Sequence, residues 1–218
     1  MGLNELLFSA GAWPYDRMTR HALWREHCAS MVPHFPQVDG RRIVLDLGCG
    51  PGVSALAFKE RAPADMVVGL DLSLQMVRIA RRHDTDRRCG WLLGDALHLP
   101  LPDASVDAVT GHSFLYLVPD RRGALREILR VLRPGGRLVL LEPHKQGWLR
   151  DARSIWRLLL RAGPGFAFTM SAWRVVATVK GAFAPGDLEA LFTQEGFSAP
   201  ETDPTLQGLG WLARATRG

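Results

Sequence analysis

The sequence predicts an α/β fold: a mostly parallel sheet with helices on both faces, closed at one edge by an antiparallel strand. Three observations predict it. Short apolar runs recur at IVLDL (43–47), MVVGLDL (66–72), DAVTGH (107–112) and RLVLLE (137–142). Between them lie segments whose apolar residues repeat at helical spacing. The runs are close to continuously apolar and do not alternate with polar residues, as expected of parallel strands covered on both sides. The 218 residues, 47% apolar and 22% charged, suit one such domain, read here as 1–218.

The elements follow in order. Residues 1–39 form an N-terminal helical cap, with Trp13, Met18, Cys28 and Met31 at helical spacing and Pro33 and Pro36 ending it. The core spans 40–143. After the strand at 43–47 come a helix from Val53 to Arg61, the strand 66–72, a helix from Leu74 to Arg82 and the polar loop DTDRR (84–88). CGWLLGD (89–95) is a strand and HLPLPDASV a loop, followed by the strand 107–112. Asp120 to Leu132 is a helix with Leu125, Ile128, Leu129 and Leu132 on one face; PGG (134–136) is a turn before the strand 137–142. Residues 144–184, rich in Trp and Arg, break the alternation and read as a helical cover inserted after strand five. Residues 185–218 hold the helix DLEALFTQEGF (187–197) and the last strand, GLGWLARAT (208–216), in an antiparallel hairpin with the strand before it.

Composition narrows the function classes. Cys28, Cys49 and Cys89 are odd in number and scattered, so they read as free thiols; no metal cluster is indicated. MGLNELLFSAGAW lacks the basic start and long apolar core of a signal peptide, and Leu6 stands where a myristoylation site needs Ser or Thr. No apolar run reaches the ~18 residues of a membrane span. These points give a cytoplasmic expectation. The net charge of +5 permits nucleic acid, anionic lipid or an acidic substrate without choosing among them.

The chemistry is carried by VLDLGCGPG (44–52). Gly48, Gly50 and Gly52 form a turn that a ligand can approach closely, and it leads into a helix N-terminus whose free N–H groups suit negative ligand groups. The dinucleotide fingerprint G-x-G-x-x-G fails, because Val53 stands at its third glycine. Acids end successive strands: Asp46 before the turn, Asp71 on the second strand and Asp95 in GDALHLP. An acid at the Asp71 position can accept from both ribose hydroxyls, and Asp95 suits an exocyclic amine.

These motifs together resemble the class I S-adenosylmethionine-dependent methyltransferases. The matching stretches are VLDLGCGPG, GLDLS (69–73) with Met76, GDALHLPLPDASVDAV (94–109) and LREILRVLRPGGRLVLLEP (125–143). Within that family the chain looks most like the ubiquinone/menaquinone-biosynthesis group. The resemblance implies a Rossmann-like, seven-stranded, mostly parallel sheet with the last strand antiparallel. It implies S-adenosyl-L-methionine as cofactor, with Gly48, Cys49 and Gly50 along its methionine part, and Asp46 is a further candidate at that turn. Asp71 would hold the ribose, Leu72 and Met76 flank the adenine, and Asp95 and Ala96 read its edge. His112 and Ser113 would border the transferred methyl, and Tyr15, in WPYDRM, would close over the cofactor.

Methyl transfer from a sulfonium relies on alignment in a dry pocket, and a general base is needed only where the nucleophile must lose a proton early. His112 and His144, both at the carboxyl edge of the sheet, are the candidates for that base; His21, His27, His34, His83 and His98 fall on helices or loops and are set aside. In WLRDARSIWRLLLRAG (148–163), Trp148, Ala152, Ile155, Trp156, Leu159 and Leu160 form one stripe, and Arg150, Arg153, Arg157 and Arg161 fall largely on the other. The favoured reading is a lid whose apolar face packs on the domain and lines a pocket with Phe166, Phe168, Met170 and Trp173; the other is peripheral contact with an anionic membrane. Either suits a small, lipophilic or aromatic substrate. Nucleic-acid methylation ranks below it, since GHSFLYL stands where a target-base motif would follow strand four. A non-catalytic S-adenosylmethionine-binding module is a further alternative. The oligomeric state is not legible.

Overall fold

The computed structural model describes residues 16, 19–63, 65–145 and 148–218, without the side chains of 148–151, 158, 161, 162, 166, 169 and 172. Tyr15 therefore lies outside the described residues. Helix α1 spans Ala22–Ala29 and is followed by a 3-10 turn at Val32–His34. The core then alternates: β1 Ile43–Leu47, α2 Val53–Arg61, β2 Met66–Asp71, α3 Leu74–His83, β3 Gly90–Leu93, β4 Val106–His112, α4 Arg121–Val131 and β5 Leu132–Pro143. The cover is α5, Trp148–Lys180, and the chain ends with α6 Asp187–Gln194, β6 Phe197–Thr205 and β7 Gly210–Arg217.

The seven strands form one sheet in the order β3-β2-β1-β4-β5-β7-β6. The pairs β1–β2, β1–β4, β2–β3 and β4–β5 are parallel, and β7 runs antiparallel to both its neighbours, β5 and β6. The connections reverse direction between β1 and β4, and open α/β sheets bind ligands at such a switch point, beyond the carboxyl ends of the strands. Register fixes what stands there. Leu47 pairs with Leu70 on one side and Gly111 on the other, and His112 pairs with Leu141. The next residues, Gly48, Asp71, His112 and Glu142, therefore emerge along one edge.

Alternation along β1 divides the core. Leu45 and Leu47 join Leu125, Ile128, Leu140 and Phe192 on the α4/α6 face. Val44 joins Phe35, Phe58, Val67 and Val139 on the other, which α1 and α2 cover. Phe35 and Phe58 meet edge to face with ring centroids 5.5 Å apart, joining the N-terminal segment to α2.

Three boundaries differ from the sequence reading. The third strand ends at Leu93, so Asp95 lies in the following turn. The PGG turn is a bulge inside β5: pairing jumps from Val106–Leu132 to Ala108–Arg137, and Gly135 takes φ 76°. Helix α6 stops at Gln194, because Phe197 begins β6, the strand left unlocated in the sequence. FSAPETDPT holds two prolines and mostly exposed residues, which a sheet tolerates only at an edge, where β6 runs.

Candidate functional site

The turn after β1 is left-handed three times, with φ 61° at Gly48, 53° at Gly50 and 85° at Gly52. A side chain is excluded there by conformation and by space: a Cβ on Gly48 would lie 2.9 Å from the Phe114 ring, and one on Gly52 2.6 Å from the Trp91 ring. Asp46 acts behind this turn. It is fully buried, accepts from Thr110 Oγ1 at 3.0 Å and from the Ser54 hydroxyl, and so ties β1 to β4 and to the start of α2. Burial pushes its carboxyl up to about 7 against the pull of those two bonds. With no exposed surface and both oxygens bonded to side chains inside the protein, Asp46 braces the loop from behind.

Asp71 faces the loop from β2. Its Oδ2 accepts from Gly50 N and its Oδ1 from Ser73 N, both at 2.8 Å. Each oxygen keeps a second lone pair for a ligand hydroxyl. Burial raises its pKa. Beside it Leu72 is 60% exposed, offering an apolar face. Met76 is buried against Ile79 and belongs to the core. Asp95 turns one oxygen to Leu97 N at 2.9 Å, and Ala96 is buried next to it. Cys49 is buried with its thiol pushed up by burial, consistent with a small residue of no reactivity. An open backbone, a carboxylate with spare acceptors and an exposed leucine make a cradle that fits a nucleoside with a charged tail.

The far wall is the turn after β4. Ser113 has φ 56°, a left-handed position costly for a side chain. Glu142 holds the turn: its buried carboxylate accepts from Phe114 N at 3.1 Å, Leu115 N at 2.7 Å and Tyr116 N at 3.2 Å, and burial pushes it up to about 7. Ser113 Oγ lies 3.1 Å from Trp173 Nε1 and 3.1 Å from His112 Nδ1. Indole is a donor only, so the serine hydroxyl accepts from Trp173 and keeps its own proton available for His112 Nδ1. When the serine donates to Nδ1 the imidazole proton sits on Nε2, a buried atom without a hydrogen-bond partner among the described residues. The Trp24 ring lies 4.3 Å from the imidazole centroid and His27 6.0 Å, edge on. Burial, with His27 next, holds His112 down at about 3, so it is neutral at physiological pH.

A methyltransferase domain model matches residues 45–140. The demethylmenaquinone methyltransferase of Thermus thermophilus is 40% identical over 162 residues, which is 71% of this chain and 74% of that protein. The chain belongs to the class I S-adenosylmethionine-dependent methyltransferases of the quinone-biosynthesis type. The chloroplastic 2-phytyl-1,4-beta-naphthoquinone methyltransferase of Arabidopsis thaliana is 29% identical over 90% of this chain and 80% of that one. A phosphoethanolamine N-methyltransferase of Haemonchus contortus, solved with S-adenosyl-L-methionine, shares the fold with a TM-score of 0.69 at 16% identity, over 94% of this chain and 46% of that one.

S-adenosylmethionine is the cofactor of this family. The structure gathers Gly48, Cys49, Gly50, Asp71, Leu72, His112 and Ser113 around the switch point and leaves Asp46 and Met76 behind it. His144 is committed elsewhere: Nδ1 is 3.0 Å from Gly208 O and the ring packs on Trp211 at 4.1 Å. His27, set aside in the sequence, is part of the His112 enclosure, as is Trp24; their separation of three on one helix was the available signal. Of the residues read as pocket walls, Met170 and Trp173 are buried, Phe168 is 77% exposed, and the Phe166 side chain lies outside the described residues. A separate open cavity of about 740 Å³ lies beside the post-β4 turn, lined by Tyr116, Leu117, Arg121, Phe183 and Leu191, and includes no glycine-loop residue.

Proposed function

We propose that the chain methylates a quinone-type small molecule, in its reduced quinol form, at a ring carbon. The observation that carries this reading is the aromatic enclosure of Trp24, His112 and Trp173 at the end of β4, with the buried His112 Nε2 left without a partner among the described residues. A flat ring suits such walls, and a quinol oxygen suits that donor. The relatives named for demethylmenaquinone and phytyl-naphthoquinone support the substrate class.

Bound S-adenosylmethionine supplies an electrophilic methyl on a sulfonium sulfur. Gly48, Cys49 and Gly50 would receive its charged tail, Asp71 its ribose, and Leu72 with Asp95 and Ala96 its base, while Tyr15 would close the cofactor side. His112 acts as a donor and not as a base, because an imidazole held at about 3 takes up a proton poorly at neutral pH. Its Nε2–H would stabilise the anionic oxygen of the quinol, the form whose ring carbons are most nucleophilic. His144, spent on Gly208 O and Trp211, has no geometry that favours a base role. The reading includes a cytoplasmic location with peripheral membrane contact; among the described residues no helix is long and apolar enough to cross a membrane.

The test is incubation of the purified chain with S-adenosylmethionine and a chemically reduced demethylmenaquinone of short side chain. The expected product is heavier by one methylene, as read by mass spectrometry. Cofactor binding without any product would overturn the reading, as would turnover of RNA in its place.

A further inference from the structure

The cover helix is broken at Gly163, with φ 82° and ψ 172°, and restarts at Pro164, where proline suits a first turn. Its inner face is settled: Ser154, Ala167, Met170, Trp173, Arg174 and Ala177 are buried. Ser154 Oγ donates to Gln207 O, and Trp173 reaches Ser113 beside His112. The outer face is the anomaly. Trp156 is 60% exposed, Leu160 72%, Phe168 77%, Val175 64% and Val179 79%, so most of the large exposed apolar side chains described in the chain lie on this one helix. The stripe expected to pack inward at Trp156 and Leu160 points outward.

We propose that this face, on both limbs of α5, docks on an anionic lipid bilayer and holds the roof of the site at the membrane surface. Two observations choose the occupant. Arg153 and Arg157 are exposed and stand three residues before Trp156 and Leu160 respectively, the mixture of cation and apolar anchor that suits the headgroup boundary. Among the described side chains of this helix the exposed charges, Arg153, Arg157 and Lys180, are all cations, so a second copy seated on the same face would bring like charges together. On the second limb Arg174 is buried and the exposed cation Lys180 stands only at its end, which leaves Phe168, Val175 and Val179 an apolar surface able to enter the acyl boundary. The inner side of this limb touches Ser113 through Trp173, so a lipophilic substrate leaving the bilayer would reach His112 directly. This last step rests on the quinone reading of the site; the docking itself does not.

The experiment is flotation of the full chain with phosphatidylcholine vesicles, with and without about one-third phosphatidylglycerol. Wild type is expected to float with the anionic vesicles and to be released by salt. Phe168→Gln with Val179→Gln is expected to weaken partitioning about tenfold or more. Arg153→Gln with Arg157→Gln is expected to abolish the preference for anionic vesicles. Both pairs are surface changes, and both should keep wild-type melting and wild-type turnover of the short-chain quinol in the absence of vesicles. Wild type that stays off anionic vesicles overturns the proposal. So does a concentration-dependent dimer that Phe168→Gln with Val179→Gln converts to monomer, since the face would then belong to a second copy. Loss of quinol turnover in vesicle-free wild type would instead count against the substrate reading and leave docking standing.

Discussion

His112 shows how a residue's role follows from its neighbours. Trp173 can only donate, which leaves the Ser113 hydroxyl proton for Nδ1, and in the proposed arrangement the imidazole proton sits on Nε2. A donor without a partner in a buried place costs free energy unless a ligand satisfies it. Removing it in His112→Leu should therefore lower kcat/KM about 10- to 100-fold, the effect of losing one hydrogen bond of roughly 1–3 kcal/mol. His112→Gln, whose amide N–H reaches a similar place, should recover much of that loss. Because His112 is held at about 3, the wild-type kcat/KM profile should carry no inflection from this group between pH 5 and 7. An inflection near 6.5 that disappears in His112→Gln would establish a base instead.

At the scale of elements, the site depends on how the strand ends are tied. Glu142, the residue after the β4–β5 pairing at His112–Leu141, gathers three backbone N–H groups of the next turn and so fixes Ser113 in its left-handed place. Glu142→Gln keeps one acceptor and turns an amide donor towards the others. It should cost about 1–3 kcal/mol and speed amide exchange across 113–117. Unchanged exchange there would show that the turn is held by other contacts. Asp46 does the same for the glycine turn through Ser54 and Thr110. Asp46 was read in the sequence as a strand-end carboxylate and Glu142 closes the run RLVLLE, but whether a carboxylate faces the crevice or braces it depends on which atoms the neighbouring elements present. The edge strand β6 was missed for a related reason: Pro200 and Pro204 read as loop until β7 supplies a partner on one side only.

At the scale of the whole molecule, buried ionisable groups give opposing responses to acid. His27 is held down at about 4 by burial, below its ordinary 6.5. The unfolded chain therefore binds more protons between pH 4 and 6.5, and this share of stability is complete above 6.5 and lost as the pH falls towards 4. Asp46 and Glu142, pushed up to about 7, respond in the other direction: their protonated forms favour the fold, and their share is lost as the pH rises towards 7. Comparing wild type with His27→Leu cancels the carboxylates. Urea denaturation should show wild type losing up to about 3 kcal/mol relative to that variant between pH 7 and pH 4. Parallel curves would mean that His27 is solvated in the native state.

The sequence by itself determined the five parallel strands of the core and the glycine turn with Asp71, because these rest on local rules, and its combined motifs pointed to the family. Apolar runs bury on both faces, glycine alone accepts the left-handed turn, and strand ends in a parallel sheet share one edge. Only the tertiary structure decided that His27 and Trp24 enclose His112, that His144 is spent on Gly208, and that Trp156, Leu160 and Phe168 face outward. Those outcomes join residues far apart in the chain. A helical stripe states which residues share a face, and the rotation of that helix is set by what its other face can pack against, here Ser154 on Gln207 and Trp173 on Ser113.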